Sequence, residues 1–214
     1  MIKIELFYAP TACSLVPYIA LKEAGAQFDV HLINLAKKEQ MSEEYLKINP
    51  KHRVPVLVID GEPLTENVSI LLWIENNFPH ANLLPKQSMH RAQAVSFLAW
   101  CSSSIHPALT PNALPQRFCS LPNTAENVKE CAQKLLIEYF AIAENMLLKK
   151  TWFFDTFSCA DIYFFWCFRR AKQFDIDLKD FERCQAHFNK VLNRTCTQEL
   201  ISFEQKILEI NLRG

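Results

Sequence analysis

The chain has 214 residues, carries no formal net charge and is half hydrophobic. Its 16 Phe, five Tyr and four Trp supply enough core material to exclude intrinsic disorder, and 23 basic against 23 acidic residues exclude a nucleic-acid or membrane-surface footprint. Only three glycines occur, which excludes Gly-rich phosphate-binding loops.

The N-terminus contains no targeting or membrane signal. No basic region followed by an apolar stretch opens the chain, so we expect no signal peptide. The longest purely apolar run, residues 162–168, is far shorter than the roughly 20 residues that cross a bilayer. We therefore predict a cytoplasmic protein with no membrane partner.

Residues 1–80 mix strand-like and helical patterns. Alternating or β-branched runs predict strands at 2–8, 28–35, 54–59 and 62–64. Helical spacing predicts helices at 14–24, 42–46 and 66–77. Asp60-Gly61 is the two-residue turn of a hairpin between the last two strands. The order βαβ-α-ββα predicts an α/β domain with a mixed sheet.

A polar connector at 80–88 separates this part from a purely helical remainder. Helices are predicted at 89–105, 124–148, 158–172, 181–192 and 196–210. The spacing Ser158-x-x-Asp161 is a capping box at the start of an almost wholly apolar helix, which we expect at the centre of its domain. The predicted domains are 1–80 and an all-α domain at 88–214.

Cys13 lies directly after the first predicted strand, near the start of a helix. Unpaired N–H groups and the helix dipole stabilise a thiolate at such a position, and Pro17 fits the first helical turn. We therefore expect its pKa to lie below the roughly 8.5 of a free thiol. The alternative is a small buried side chain at a strand–helix junction.

Two further segments could form a peptide-binding site. A proline that opens a strand removes a ladder donor, so Pro55 is unusual. If the Val54–Pro55 bond is cis, the Val54 N–H and C=O can pair with an extended peptide; otherwise Pro55 is a loop proline leading into an edge strand. Asn67 is a candidate N-cap whose helix start could hold a carboxylate, and Glu66 could meet an ammonium group or serve only the helix dipole.

The eight cysteines contain no C-x-x-C pair, so we predict neither a zinc ribbon nor a dithiol redox pair. Cys184 and His187 have the spacing of metal ligands, but no second pair completes a site. No metal is expected.

In this order, these features resemble the cytosolic glutathione transferases, most closely the bacterial, cysteine-bearing beta class. The Val-Pro and Ser-x-Ala-Asp patterns mark the superfamily, whereas Ala-Cys-Ser-Leu and the placement of His106 are more class-specific. The resemblance spans nearly the whole chain. The residues that carry it are 10–15, 19–25, 49–51, 54–55, 64–66, 104–108 and 157–161.

The resemblance implies a thioredoxin-like N-terminal domain that binds glutathione and a helical domain that completes a pocket for a small hydrophobic electrophile. By position, Cys13 faces the glutathione sulfur and His106 approaches the thiol. The implied glutathione-binding residues are Lys38 for the glycyl carboxylate, Val54 ahead of a cis Pro55 for the cysteinyl backbone, and Glu66 with the N–H of Asn67 for the γ-glutamyl end.

Three positions depart from the family pattern. Asn67 stands where a small residue such as Ser or Gly is usual, which keeps the backbone donor but replaces a hydroxyl contact. His52 stands where Gly is frequent, so its turn either does without a positive φ or is strained. Residues 154–157 lack the usual Gly before Asp155, which concerns loop packing.

The expected activity is conjugation of the glutathione thiol to small electrophiles, with glutathione-dependent disulfide reductase or peroxidase activity in addition. No tightly bound cofactor is implied, because glutathione is the cosubstrate. Tyr8 and Ser14 rank below Cys13 as activating groups. The alternative is a non-catalytic binding or regulatory protein on the same fold. A surplus of apolar positions in helices 66–77 and 89–105 also predicts a homodimer.

Overall fold

The structure is a computed structural model that describes residues 2–213. These residues form two units: the first runs to Leu83 and resumes at Asn193, and the second comprises Leu84–Leu192. Within the described residues, no helix is long and apolar enough to cross a membrane.

The first unit is an α/β fold with the predicted element order. Its elements are β1 (Ile4–Tyr8), α1 (Leu15–Glu23), β2 (Asp29–Leu32), α2 (Glu43–Ile48), β3 (Val56–Ile59), β4 (Glu62–Thr65), α3 (Asn67–Asn77) and α9 (Thr195–Arg213). The sheet order is β2-β1-β3-β4, with β1 parallel to β2 and antiparallel to β3. This is the mixed, thioredoxin-like sheet that the sequence predicts.

Alternation along β1 buries both faces of the sheet. Leu6 pairs with Leu57 of β3, and both side chains are fully buried. On the opposite face, Phe7 pairs with Val56 and packs edge-on against Tyr45 of α2. Because side chains alternate across a strand, β1 and β3 contribute to an apolar layer on each face of the sheet.

The last helix, α9, packs within the first unit. The Phe203 ring on α9 stacks on Tyr18 of α1, with centroids 5.7 Å apart. At the other end of α1, Arg194 donates to both carboxylate oxygens of Glu23 at 2.8 and 2.7 Å. The end of the chain is thereby fixed to the helix that follows Cys13.

The second unit is all-helical, as predicted. Its helices are α4 (Ser88–Trp100), α5 (His106–Ala113), α6 (Ala125–Met146), α7 (Cys159–Gln173) and α8 (Glu182–Leu192). A π-helical turn, Cys101–Ile105, joins α4 to α5, so the helix does not close near His106 as the sequence predicted. Proline lacks an N–H but is tolerated in the first turn of a helix, which is where Pro107 lies in α5.

The predicted capping box is present at the start of α7. The Ser158 N–H donates to the Asp161 carboxylate at 2.8 Å, and the Ser158 side chain pairs with the N3 backbone. The other Asp161 oxygen accepts from the Phe153 N–H at 3.0 Å and lies 2.8 Å from His187 Nε2. Ten consecutive residues from Cys159 are buried, which confirms a central position for α7 within the unit.

Candidate functional site

Cys13 lies in a tight loop between β1 and α1. The Ser14 hydroxyl closes this loop, since it accepts from the Ala9 N–H and donates to the Ala9 carbonyl, both at 3.0 Å. Thr11 adopts a positive φ of 63°, which a residue with a side chain rarely takes. The helix begins at Leu15, with Pro17 in its first turn as predicted.

The Cys13 sulfur is held against the segment that contains Pro55. Its thiol donates to the Val54 carbonyl at 3.3 Å, and the Val54–Pro55 peptide bond is cis, as the sequence predicted. The Val54 carbonyl therefore already has a partner within the protein. Two segments separated by 41 residues in sequence meet at this contact.

The expectation of a lowered Cys13 pKa is wrong for this structure. The side chain is only 9% exposed, and burial raises the pKa of the Cys13 thiol to about 12. A hydrogen bond from Asn67 is the largest influence that lowers this pKa, followed by one from the backbone of Cys13 itself. The charged form is disfavoured because loss of hydration outweighs the donors that face the sulfur.

Asn67 is not the N-cap of α3. The N-cap position belongs to Glu66, which has a positive φ of 71°, and Asn67 is the first helical residue. The Asn67 side chain is buried and donates through Nδ2 to the Cys13 carbonyl at 3.3 Å. Its amide therefore points at the Cys13 loop and does not cap its own helix.

The Glu66 carboxylate is exposed and is held in place by a residue that the sequence analysis did not assign. Lys51 Nζ lies 2.5 Å from Glu66 Oε1 and donates to the Thr65 hydroxyl at 2.7 Å. Next to Lys51, His52 has a positive φ of 56°. Of the two alternatives given for this turn, the strained one is therefore present. Lys51 could have been found as the only basic residue of the Asn-Pro-Lys pattern that carries the resemblance.

The remaining predicted site residues are placed as follows. Lys38 is exposed and has a φ of 58° after β2. His106 lies in the second unit, where Nδ1 is 3.1 Å from the Tyr163 hydroxyl and the ring meets Trp166 edge-on at 4.3 Å. The contacts of the described residues bring together Cys13, Val54, Pro55, Glu66 and Asn67, and do not join Lys38 to them.

The two hydroxyls that ranked below Cys13 both have structural partners. Ser14 closes the loop to Ala9, and the Tyr8 hydroxyl donates to the buried Glu204 carboxylate of α9. Glu204 also accepts from the Thr11 N–H at 2.7 Å. Glu204 was not predicted from the sequence. An acidic residue between Leu200 and Ile207, on the apolar stripe of α9, could have indicated a buried carboxylate.

The comparisons with known proteins cover most of the chain. Residues 3–76 match the glutathione S-transferase N-terminal domain, and residues 97–195 match the C-terminal domain. Glutathione S-transferase GstA of Escherichia coli O157:H7 is 30% identical over 204 residues, covering 94% of this chain and 98% of that protein. The chain belongs to the glutathione S-transferase family. It is a glutathione transferase, which uses glutathione as the cosubstrate for conjugation to electrophiles.

Other relatives of this glutathione transferase differ in class. Maleylacetoacetate isomerase of Mus musculus is 29% identical, covering 86% of this chain and 85% of that protein. Two solved structures are each 31% identical to this chain. One is a sphingomonad glutathione S-transferase in complex with glutathione, and the other is the bacterial beta class glutathione S-transferase of Sphingomonas chungbukensis. Each has a TM-score of 0.83 and covers 94% of this chain and 98% of its own.

Proposed function

We propose that this transferase is a beta-class enzyme in which Cys13 faces the glutathione sulfur. The observation that carries the proposal is the 3.3 Å contact between the Cys13 thiol and the Val54 carbonyl. A peptide whose backbone pairs with Val54 brings its central residue next to this sulfur. The 31% identity to the beta-class structure of Sphingomonas chungbukensis supports the class.

We assign the two ends of the tripeptide to Glu66 and Asn67 at one end and to Lys38 at the other. Glu66 takes the γ-glutamyl ammonium, and the Asn67 N–H takes the carboxylate beside it. Lys38 takes the glycyl carboxylate. Two observations support these roles: the Glu66 carboxylate is exposed although Lys51 orients it, and Lys38 is exposed beyond β2.

His106 is the residue that the helical unit contributes to the reaction, and this unit supplies the pocket for a small hydrophobic electrophile. His106 directly follows the π-helical turn Cys101–Ile105. Single π-turns inside helices occur frequently at functional sites, which supports the assignment. Its Nδ1 contact with the Tyr163 hydroxyl would orient the ring.

In the conjugation reaction, the glutathione thiol loses its proton and the resulting thiolate attacks an electrophilic carbon. A carbon–sulfur bond forms while the leaving group departs with its electron pair. In the additional thiol–disulfide reaction, the Cys13 thiolate attacks a mixed disulfide of glutathione and expels the other thiolate. A second glutathione thiolate then attacks the Cys13 mixed disulfide, which releases glutathione disulfide and restores Cys13.

Retention on immobilised glutathione followed by an assay with a reactive aryl halide tests this function. We expect both retention and conjugation, and we expect Glu66→Gln to weaken glutathione binding by about tenfold, because a charge-assisted hydrogen bond is lost. Glu62→Gln on the neighbouring strand is the matched control and should bind normally. Retention without turnover would instead support the non-catalytic alternative, and no retention would contradict both.

Two proposals concern the protein in its cell. The enzyme acts in the cytoplasm, in keeping with a cysteine-bearing chain that uses reduced glutathione. It also forms a homodimer, as is typical of the family. Exposed apolar side chains on α6 support the dimer, with Leu135 at 44%, Ile142 at 50% and Met146 at 36% exposure.

A further inference from the structure

Both a hydrogen-bond acceptor and hydrogen-bond donors face the Cys13 sulfur. The Val54 carbonyl is an acceptor: the Cys13 thiol donates a hydrogen bond to it, with sulfur and oxygen 3.3 Å apart. The Asn67 side chain and the Cys13 backbone N–H act in the opposite sense, since their hydrogen bonds lower the pKa of the thiol. One acceptor therefore favours the protonated thiol, and two donors favour the thiolate.

The acceptor is also the group that a bound tripeptide needs. Under the proposed function, the Val54 backbone pairs with the cysteinyl part of glutathione, so a ligand N–H must replace the Cys13 thiol at the Val54 carbonyl. A carbonyl oxygen has two lone pairs, but a donor that arrives in peptide geometry competes with a thiol whose hydrogen bond is weak. Once the thiol is displaced, the hydrogen-bonding groups that still face the sulfur are the donors of Asn67 and the Cys13 backbone.

Asn67 is placed to hold the displaced sulfur. Its side chain is 6% exposed and bonds to the Cys13 carbonyl, so the amide is fixed against the Cys13 loop. Its Oδ1 atom is buried and has no hydrogen-bond partner among the described residues.

We propose that glutathione binding drives deprotonation of Cys13, because the ligand occupies the Val54 carbonyl and leaves the sulfur to the donors of Asn67 and its own backbone. Asn67 is then a positioning residue for the Cys13 thiolate. The proton goes to solvent, and no covalent step is involved. This inference rests on the proposed function. It makes Cys13 unreactive in the free protein and reactive only beside a bound tripeptide.

Three other titratable groups face Cys13 within the first unit. Glu66 raises the pKa of the thiol and Arg53 lowers it, while burial, and after it a charge on Cys13, raises the pKa of Tyr45. Lys51 forms an ion pair with Glu66. Under the proposed function Glu66 also meets the ligand ammonium, so the Asn67 variants below are needed to isolate the displacement at Val54.

Calorimetric titration with S-methylglutathione tests the inference, because this ligand has no thiol of its own. Titrations in buffers of different ionisation enthalpy give the number of protons released per chain. Cys13→Ser is the reference, since its hydroxyl does not ionise in this range. We expect the wild-type protein to release at least about 0.3 proton more than Cys13→Ser at mildly alkaline pH. By linkage, its affinity relative to Cys13→Ser should rise with pH by up to about tenfold per pH unit.

Variants of Asn67 separate a positioning role from a structural one. Asn67→Ala should reduce the extra proton release towards the Cys13→Ser value, and Asn67→Ser, which keeps a hydroxyl donor, should fall between them. Asn77→Ala is the matched control, because Asn77 is an exposed residue of the same helix that bonds to the Trp73 carbonyl. It should release protons like the wild type.

Two results would overturn the inference, and they are distinguishable. Equal proton release by wild type and Cys13→Ser, with both binding the ligand, would overturn the coupling but leave the proposed function intact. No binding of S-methylglutathione by the wild type would overturn the proposed function and the coupling with it. If Asn67→Ala released as many protons as the wild type, Asn67 would not be a positioning residue for the thiolate.

Discussion

The Tyr8 hydroxyl donates a hydrogen bond to the carboxylate of Glu204, which joins the end of the first strand to the C-terminal helix, 196 residues later. The same carboxylate accepts from the Thr11 N–H, inside the loop that carries Cys13. Glu204 is 1% exposed. The last helix is therefore part of the support of the candidate catalytic loop.

Removing this carboxylate should destabilise the protein. In Glu204→Ala, the Tyr8 hydroxyl and the Thr11 N–H lose an acceptor in a buried place, so we expect the free energy of unfolding to fall by about 2 to 4 kcal/mol. Urea unfolding followed by tryptophan fluorescence measures the change. Glu209→Ala, an exposed residue of the same helix, should change stability by less than about 0.5 kcal/mol. Equal effects of the two variants would contradict the role of Glu204.

Removing the Asp161 carboxylate in the second unit should lower stability more than removing the Glu204 carboxylate. Asp161 is fully buried and accepts from the Ser158 and Phe153 N–H groups while it contacts His187. We expect Asp161→Ala to lower stability by about 3 to 5 kcal/mol, because buried donors and His187 lose their partner.

The melting temperature and soluble yield of Asp161→Ala measure this loss. Asp177→Ala is the control, since Asp177 is exposed and its carboxylate pairs only with Lys179 at the surface among the ion pairs of the described residues. A melting temperature of Asp161→Ala close to that of the control would contradict the prediction.

The raised Cys13 pKa predicts slow alkylation in the free protein. The thiolate is the nucleophile, and its fraction increases as the pH rises towards the pKa of about 12. At neutral pH, iodoacetamide should therefore label Cys13 much more slowly than the exposed Cys131. Peptide mass spectrometry over a pH series gives both rates. A Cys13 labelling midpoint below that of Cys131 would contradict the prediction.

The dimer proposal concerns a surface that the sequence identified only in part. The predicted helix 89–105 was part of its basis, but the Phe97 and Leu98 side chains of that helix are buried. Met89 of that helix is exposed, and several more exposed apolar side chains lie on α6, beside a groove of about 500 Å³ whose lining includes Ile142 and Met146. A stable dimer buries at least about 1,200 Å² in total, so this surface must be covered over a wide area.

Sedimentation equilibrium at micromolar concentration should give twice the 24.8 kDa of one chain. Ile142→Glu places a charge in the proposed interface and should give a mass near one chain. Leu121→Glu, on an exposed loop outside α6, is the control and should stay dimeric. A wild-type mass of one chain would contradict the proposal.

Much of the fold could be predicted because its signals are local. The periodicity of β1 and α7, the turn at Asp60-Gly61 and the Ser158–Asp161 capping box each depend on residues close together in sequence. Boundaries differ by a few residues, as with β2, which covers only Asp29–Leu32 of the predicted 28–35. The π-helical turn before His106 has no local signal of this kind and was missed.

The candidate site was predictable in its membership but not in its electrostatics. The loop order places Cys13 near Pro55, and the structure brings them together. The pKa of Cys13 depends instead on burial by segments more than 40 residues away and on the Asn67 amide, so proximity to a helix start was a poor guide. Glu204 was missed for the same reason, because its partners are distant in sequence.

Reaction with glutathione disulfide tests whether Cys13 faces the sulfur of bound glutathione. The Cys13 thiolate would attack one sulfur, break the disulfide and expel one glutathione thiolate, which leaves one glutathionyl group on Cys13. Peptide mass spectrometry locates this group among the eight cysteines. We expect rapid modification of Cys13, and we expect excess S-methylglutathione to prevent it. Modification of exposed Cys131 with Cys13 left unmodified, or modification of Cys13 that S-methylglutathione does not slow, would contradict it.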